Sequence, residues 1–183
     1  MTGKLVVGLF VLLSLAFPVR AEVPPVGSVA PGFSLPDQKG ALRNLTEWRG
    51  RWVVLYFYPK DDTPGCTAEA CAFRDDLAEL SALGAQVVGI SVDDTLSHKA
   101  FAEKYSLPFP LLADATAEVA TRYGALSNWL VMKLAKRYTF LLDPAGRIAK
   151  VYLEVDTSRH SKEIIADLKL LQAGSGKAAA TRQ

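Results

Sequence analysis

The stretch that decides the fold is "WVVLYFYPKDDTPGCTAEACAFRDD", Trp52 to Asp76. Its first eight residues, Trp52 to Pro59, are a continuous apolar and aromatic run of strand length, the pattern of a strand covered on both faces and so central in its sheet. "KDDTPG" reads as a turn, and from Pro64 a helical pattern runs through Phe73, Leu77 and Leu80 to a stop at Gly84. Thr63 stands at the N-cap of that helix and Pro64 at its first position. Both cysteines of the chain, Cys66 and Cys71, fall on it.

Upstream, residues 22 to 51 are rich in Pro and Gly with short apolar alternations, which predicts an extended lead-in and a hairpin turning near Lys39 and Gly40. Downstream, "QVVGISVDD" predicts a second buried strand, "LSHKAFAEKYS" a helix, "FPLLAD" a short strand and "TAEVATRYG" a short helix ending at Gly124. Arg137 to Leu142 and Arg147 to Val155 read as two strands joined by "DPAG". A last helix fits "SKEIIADLKLL", with Ile164, Ile165, Leu168 and Leu171 on one face. This order predicts an α/β domain of the thioredoxin-like kind, a central mixed sheet flanked by helices, with the first crossover parallel and the last pair antiparallel. The segment "ALSNWLVMKLAK", residues 125–136, is left unassigned.

At 183 residues the chain suits one domain. Lys4, an apolar run of 13 residues from Leu5 to Phe17, and Val19 and Ala21 before a cleavage point together read as a secretory signal peptide over residues 1–21. The domain then spans 22–172 and a flexible tail 173–183. The run is shorter than the roughly 20 residues that span a bilayer, so a retained membrane anchor is the alternative. Without Lys4 and Arg20, 19 basic residues face 19 acidic ones, and no basic surface for nucleic acid is indicated. Export, to the periplasm if the source is bacterial, means an oxidising compartment, where a plain structural disulfide is the starting assumption for two cysteines.

Spacing argues against that assumption. On a regular helix Cys71 sits five positions after Cys66, about 8 to 9 Å away and about 140° around the axis, whereas a disulfide needs Cα atoms within about 7 Å and converging Cβ vectors. Bonding would unwind the first turns at about 1 kcal/mol per lost hydrogen bond, and the small loop closed returns little entropy. Structural zinc wants four ligands, and only His98 and His160 are on offer beside the cysteines, both remote in sequence. A thioredoxin-type exchange site has Cys-x-x-Cys, not the four-residue gap found here. A pair that works by switching remains. Cys66 follows the carboxyl end of a buried strand in the first turn of a helix, where free N–H groups favour negative charge at the sulfur. A non-catalytic module with a permanent bridge and a redox sensor stay open as readings of the same residues.

"FYPKDDTPGCTAEACAFRDD" resembles the active-site stretch of the peroxiredoxins, Pro-x-x-x-Thr-x-x-Cys, here Pro59, Thr63 and Cys66, and specifically the bacterioferritin comigratory protein or peroxiredoxin Q branch of the AhpC/TSA-like thiol peroxidases. "APGFSLPDQKG", "VVGISVDD", "FPLLAD" and "RYTFLLDPAGRI" extend the resemblance over about Val26 to Leu171. It implies a thiol peroxidase on a thioredoxin fold that reduces hydrogen peroxide and organic hydroperoxides to water and alcohols, without metal or other cofactor. It implies Cys66 as the peroxidatic and Cys71 as the resolving residue, joined in a disulfide that a thioredoxin-like dithiol reduces. Arg137 is implied as the guanidinium of the site, Thr63 as a hydroxyl donor and Pro59 as a shield over the sulfur. Glu69, in the family's "CTxE" pattern, is implied as the partner that orients an arginine. The branch is often monomeric.

Other residues take plainer readings. Arg74 and Asp75 read as surface or helix-packing residues; Trp52, Phe57, Phe73 and Phe101 as core; Trp129 and Met132 as core rather than a wall beside the site; His98 and His160 as structural or solvated. Two features depart from the branch. The signal segment removes cytosolic thioredoxin as the reductant, and "LSNWLVMKLAK" is shorter and more apolar than its counterparts.

Overall fold

Val53, Leu55 and Phe57 pack into the hydrophobic cluster on one face of a sheet, Val54, Tyr56 and Tyr58 into that on the other, and none of the six is more than 3% exposed. This is the arrangement in a computed structural model of the chain, which describes residues 22–129 and 132–180. The leader read at 1–21 lies outside the described residues, as do the side chains of Trp129 and Met132.

From the N-terminus, β1 (Ser34–Pro36) and β2 (Leu42–Asn44) form the expected antiparallel hairpin, turning through Gly40 at φ 78°. A 3-10 turn over Leu45–Trp48 leads into β3 (Trp52–Phe57). Then follow α1 (Pro64–Asp75), α2 (Leu77–Ala82), β4 (Ala85–Ser91), α3 (Thr95–Tyr105), β5 (Leu111–Ala113) and α4 (Glu118–Arg122). The chain ends with β6 (Leu126–Trp129), β7 (Met132–Ala135), β8 (Tyr138–Leu142), β9 (Ile148–Tyr152) and α5 (His160–Ala180).

The main sheet has the order β5-β4-β3-β8-β9. β3 is its middle strand, parallel to β4 from Trp52 opposite Ala85 to Phe57 opposite Ile90, and antiparallel to β8 from Val53 opposite Leu142 to Phe57 opposite Tyr138. A strand in that position is covered twice, which is why its sequence is apolar without alternation. On one face Val54, Tyr56 and Tyr58 pack with Cys66, Ala70 and Phe73 of α1, Phe101 of α3, and Ile164 and Leu168 of α5. On the other, Val53, Leu55 and Phe57 meet Phe33, Trp48, Val119, Tyr123 and Phe140. Tyr56 fits only because its parallel neighbour is Gly89, where a Cβ would stand 2.8 Å from the tyrosine oxygen. Of the expected core residues Phe57, Phe73 and Phe101 are buried and Trp52 is half-buried.

One expectation needs correction. The helix read as continuous from Pro64 to Gly84 breaks at Asp76, whose carboxylate accepts from Ser161 Oγ at 2.7 Å and Lys162 Nζ at 2.6 Å. That grip joins the end of α1 to the start of α5 across 85 positions of sequence, beyond any local signal. The unassigned segment after Gly124 is the β6-β7 hairpin, paired from Leu126 opposite Ala135 to Trp129 opposite Met132. The tail expected at 173–183 is helical backbone as far as Ala180, in keeping with the helix-forming run Lys177 to Ala180.

Candidate active site

The chain leaves β3 through Tyr58 to Thr63 and enters α1 at Pro64, so the third residue of the helix, Cys66, stands at the carboxyl end of the central strand. It is 1% exposed and its thiol is free. Arg137, the residue before β8, reaches it because β8 lies beside β3: Nη2 donates to Cys66 Sγ at 3.3 Å while Nη1 donates to Glu69 Oε2. Gly65 makes room, since a Cβ there would be 3.3 Å from Arg137 Nη2. A guanidinium on the sulfur stabilises negative charge there, and the adjacent helix N-terminus acts in the same direction.

Glu69 is 1% exposed and its other oxygen, Oε1, meets no hydrogen-bond donor among the described residues. Burial pushes its pKa up to about 7, against the opposing pull of Arg137. Burial works against the charge of Arg137 too, yet Glu69 and Cys66 together raise its pKa above the usual value. Glu69 thus fixes one arm of the fork while the other faces the thiol, and its place three residues after Cys66 keeps both on one helical face.

This buried carboxyl gives a pH test. A folded pKa of about 7 against the usual 4.5 means that the native state holds the Glu69 proton longer than the unfolded chain does. Stability linked to that proton is complete below about 4.5 and is lost as pH rises to about 7, on the order of 3 kcal/mol in all. Urea unfolding of Glu69→Gln should therefore gain on the wild type by that order between pH 4.5 and 7.5 and level off above. A difference that stays flat across this range would show that Glu69 does not titrate in the fold.

Thr63 adopts the extended backbone of an N-cap, but its side chain does not cap α1; the hydroxyl donates to Lys60 O at 3.0 Å. Pro59 is half-buried and lines an open cavity of about 460 Å³ together with Arg137, Ser127, Ala135, Tyr138 and Val155. Two of these walls, Ser127 and Ala135, come from the β6-β7 hairpin, which sequence reasoning did not resolve. Cys71 is half-buried and free, five residues after Cys66 on an unbroken helix. By helix geometry the two sulfurs face directions about 140° apart, so both thiols persist while α1 is intact.

His98 and His160 are fully buried and take structural partners: His98 faces Asp61 at 2.8 Å and His160 faces Thr139 at 2.9 Å. Arg74 donates to Tyr105 O at 2.7 Å and to Asp75 at 2.8 Å, bridging α1 to α3 as a packing residue. Among the described residues no helix is long and apolar enough to cross a membrane.

Residues 26–151 match the AhpC/TSA family. Peroxiredoxin Q, chloroplastic, of Triticum aestivum is 47% identical over 146 residues, a match covering 80% of this chain and 66% of that protein. Putative peroxiredoxin bcp of Coxiella burnetii is 43% identical over 149 residues, covering 78% of this chain and 97% of that protein. Among solved structures, peroxidoxin BcpB from Mycobacterium tuberculosis superposes with a TM-score of 0.75 at 37% identity, covering 79% of this chain and 96% of that one.

Proposed function

Because the chain belongs to the AhpC/TSA family and is a thiol-dependent peroxidase, we propose that Cys66 is its peroxidatic residue and Cys71 its resolving residue. The observation that carries this reading is the Arg137 fork, which spans Cys66 Sγ and Glu69 at the edge of the cavity bounded by Pro59. Peroxide enters from that cavity. The Cys66 sulfur attacks the terminal oxygen, an S–O bond forms as the O–O bond breaks, and the departing oxygen takes a proton and leaves as water or an alcohol. Negative charge grows on that oxygen, and Arg137 is positioned to meet it. Thr63 contributes its hydroxyl by turning from Lys60 O to the peroxide, a rotation that costs little for a hydroxyl. Pro59 offers no N–H and keeps that wall of the cavity free of a competing donor.

Cys71 then attacks the sulfur of the Cys66 sulfenic acid; the S–S bond forms, the S–O bond breaks, and the hydroxyl leaves as water with the thiol proton. Since both residues lie on α1, the step requires the helix to unwind between them, and it requires no second copy of the chain. On this reading the protein works as a monomer. A thioredoxin-like dithiol reduces the bridge. Export belongs to the same reading, supported by Lys4 and the apolar run Leu5 to Phe17, and it assigns the reductant to the compartment outside the cytosol.

Mass spectrometry after one equivalent of hydrogen peroxide tests the assignment. The wild type should lose two hydrogens in a Cys66–Cys71 bridge that dithiothreitol reverses, and Cys71→Ser should instead gain one oxygen, trapped at Cys66. Oxygen accumulating on Cys71 in the wild type, or a bridge present before peroxide and resistant to mild dithiol, would overturn it.

A further inference from the structure

The turn between β3 and α1 is held from outside itself. Asp61, its third residue after Tyr58, is 7% exposed, and three side chains converge on its carboxylate: Tyr58 Oη on Oδ1 at 2.7 Å, Ser97 Oγ on Oδ2 at 2.7 Å and His98 Nδ1 on Oδ2 at 2.8 Å. The carboxylate can only accept, so the His98 ring hydrogen lies on Nδ1. The ring is fully buried, and Nε2 meets no hydrogen-bond partner among the described residues; donation to Asp61 is the ring's polar work. The backbone is gripped as well, since Asp61 N–H donates to Asp93 Oδ2 at 2.9 Å, and that oxygen is itself held by Ser91 Oγ at 2.7 Å. Asp62, in the left-handed conformation at φ 55°, accepts from Lys104 Nζ and from Tyr105 Oη at 2.6 Å.

All of these outside partners belong to α3 or to the end of β4 and its loop, and none to α1. The contacts therefore survive when α1 unwinds. On the turn's inner side, Lys60 O accepts the Thr63 hydroxyl, and Thr63 O accepts the Thr67 N–H that begins α1.

We propose that Asp61 is a positioning residue for the peroxide reaction: its anchored carboxylate fixes the Pro59 to Thr63 turn on α3, and thereby sets where the Thr63 hydroxyl and the Cys66 thiol meet the peroxide. The inference rests on Cys66 as the peroxidatic residue. An amide in place of Asp61 keeps the shape but removes the charge that strengthens all three contacts and turns an NH2 toward either Tyr58 Oη or the Ser97 and His98 pair, so the seat of the turn loosens. The sulfur itself is not altered. A reaction that needs the thiol and the hydroxyl in register should suffer, and a reaction that needs only the thiol should not.

Two rates measured at Cys66 in a Cys71→Ala background separate these outcomes. With Asp61→Asn, oxidation by hydrogen peroxide should slow by about tenfold or more while alkylation by iodoacetamide stays within about threefold. Combining Asp61→Asn with Thr63→Val should slow the peroxide rate no further than the worse single change, because both act on one alignment. The proposal is overturned if Asp61→Asn keeps the peroxide rate within twofold, if both reagents slow together, or if the two losses multiply. Should Asp61→Asn fail to fold, Ser97→Ala removes one of the three donors and decides the matter by the same ratio, expected to fall about threefold. Faster peroxide oxidation of Cys71 than of Cys66 in the wild type would sink the premise and leave the anchoring of the turn untouched.

Discussion

Replacing Cys66 with serine should reduce peroxide turnover by at least about a thousandfold while leaving the fold in place. The magnitude follows from chemistry: a hydroxyl is a far weaker nucleophile than a thiolate near neutral pH and has no path to a sulfenic acid, so the first step loses its nucleophile outright. The fold tolerates the change because serine is smaller than cysteine, and its oxygen can take over the hydrogen bond from Arg137 Nη2. A coupled assay with a generic dithiol reads the turnover, and near-UV circular dichroism reads the core. Retention of more than a few per cent of the activity would remove Cys66 from the reaction and with it the assignment of Cys71.

The second large effect is expected at Arg137. Arg137→Leu takes away the donor that faces the sulfur and strands Glu69, which is 1% exposed and has no other donor among the described residues. The rate of Cys66 oxidation should fall by about a hundredfold to a thousandfold, the usual cost of losing a donor that meets charge developing in the transition state. Stability should also fall, by up to about 3–5 kcal/mol when Glu69 is forced to ionise alone. The sign with pH follows from the carboxyl. Burial already holds Glu69 up at about 7, and without Arg137 nothing pulls it back, so both proteins lose stability alike between about 4.5 and 7 and the deficit relative to the wild type should widen only as pH rises above about 7. Arg137→Lys should restore part of the stability and less of the rate, because a single ammonium cannot bridge Glu69 and the sulfur as the fork does. Single-turnover oxidation and urea melts at pH 5 and pH 8 check both; equal deficits at the two pH values would contradict this account of Glu69.

What could be read from the sequence was what short-range physics dictates. β3 is legible because burial on both faces leaves no alternation, and the start of α1 because a threonine and a proline at an N-terminus are local signals. Glu69 is legible as an arginine's partner only through the resemblance, because its place three residues after Cys66 names a helical face and no partner. The break at Asp76 is not, for the side chains that grip it lie on α5, and neither is the seat of Asp61, whose partners Ser97 and His98 are two helices and a strand away. "KDD" says turn; only the fold says what holds it. The β6-β7 hairpin escaped for another reason, since "ALSNWLVMKLAK" mixes strand formers with helix formers and lacks a period that would choose between them.

The grip of Ser161 and Lys162 on Asp76 has a consequence for the proposed cysteine switch. A helix that buries Ala70 and Phe73 completely cannot come apart without drawing on the core, and in an uninterrupted helix the fraying would run on into Leu77 and Leu80. Here it meets a residue whose backbone departs from helical dihedrals, at φ −93° and ψ 4°, and whose side chain is tied to another part of the molecule. On the proposed switch, α1 opens for the two sulfurs to meet, and the break at Asp76 acts as a firebreak that leaves the sheet behind it in place.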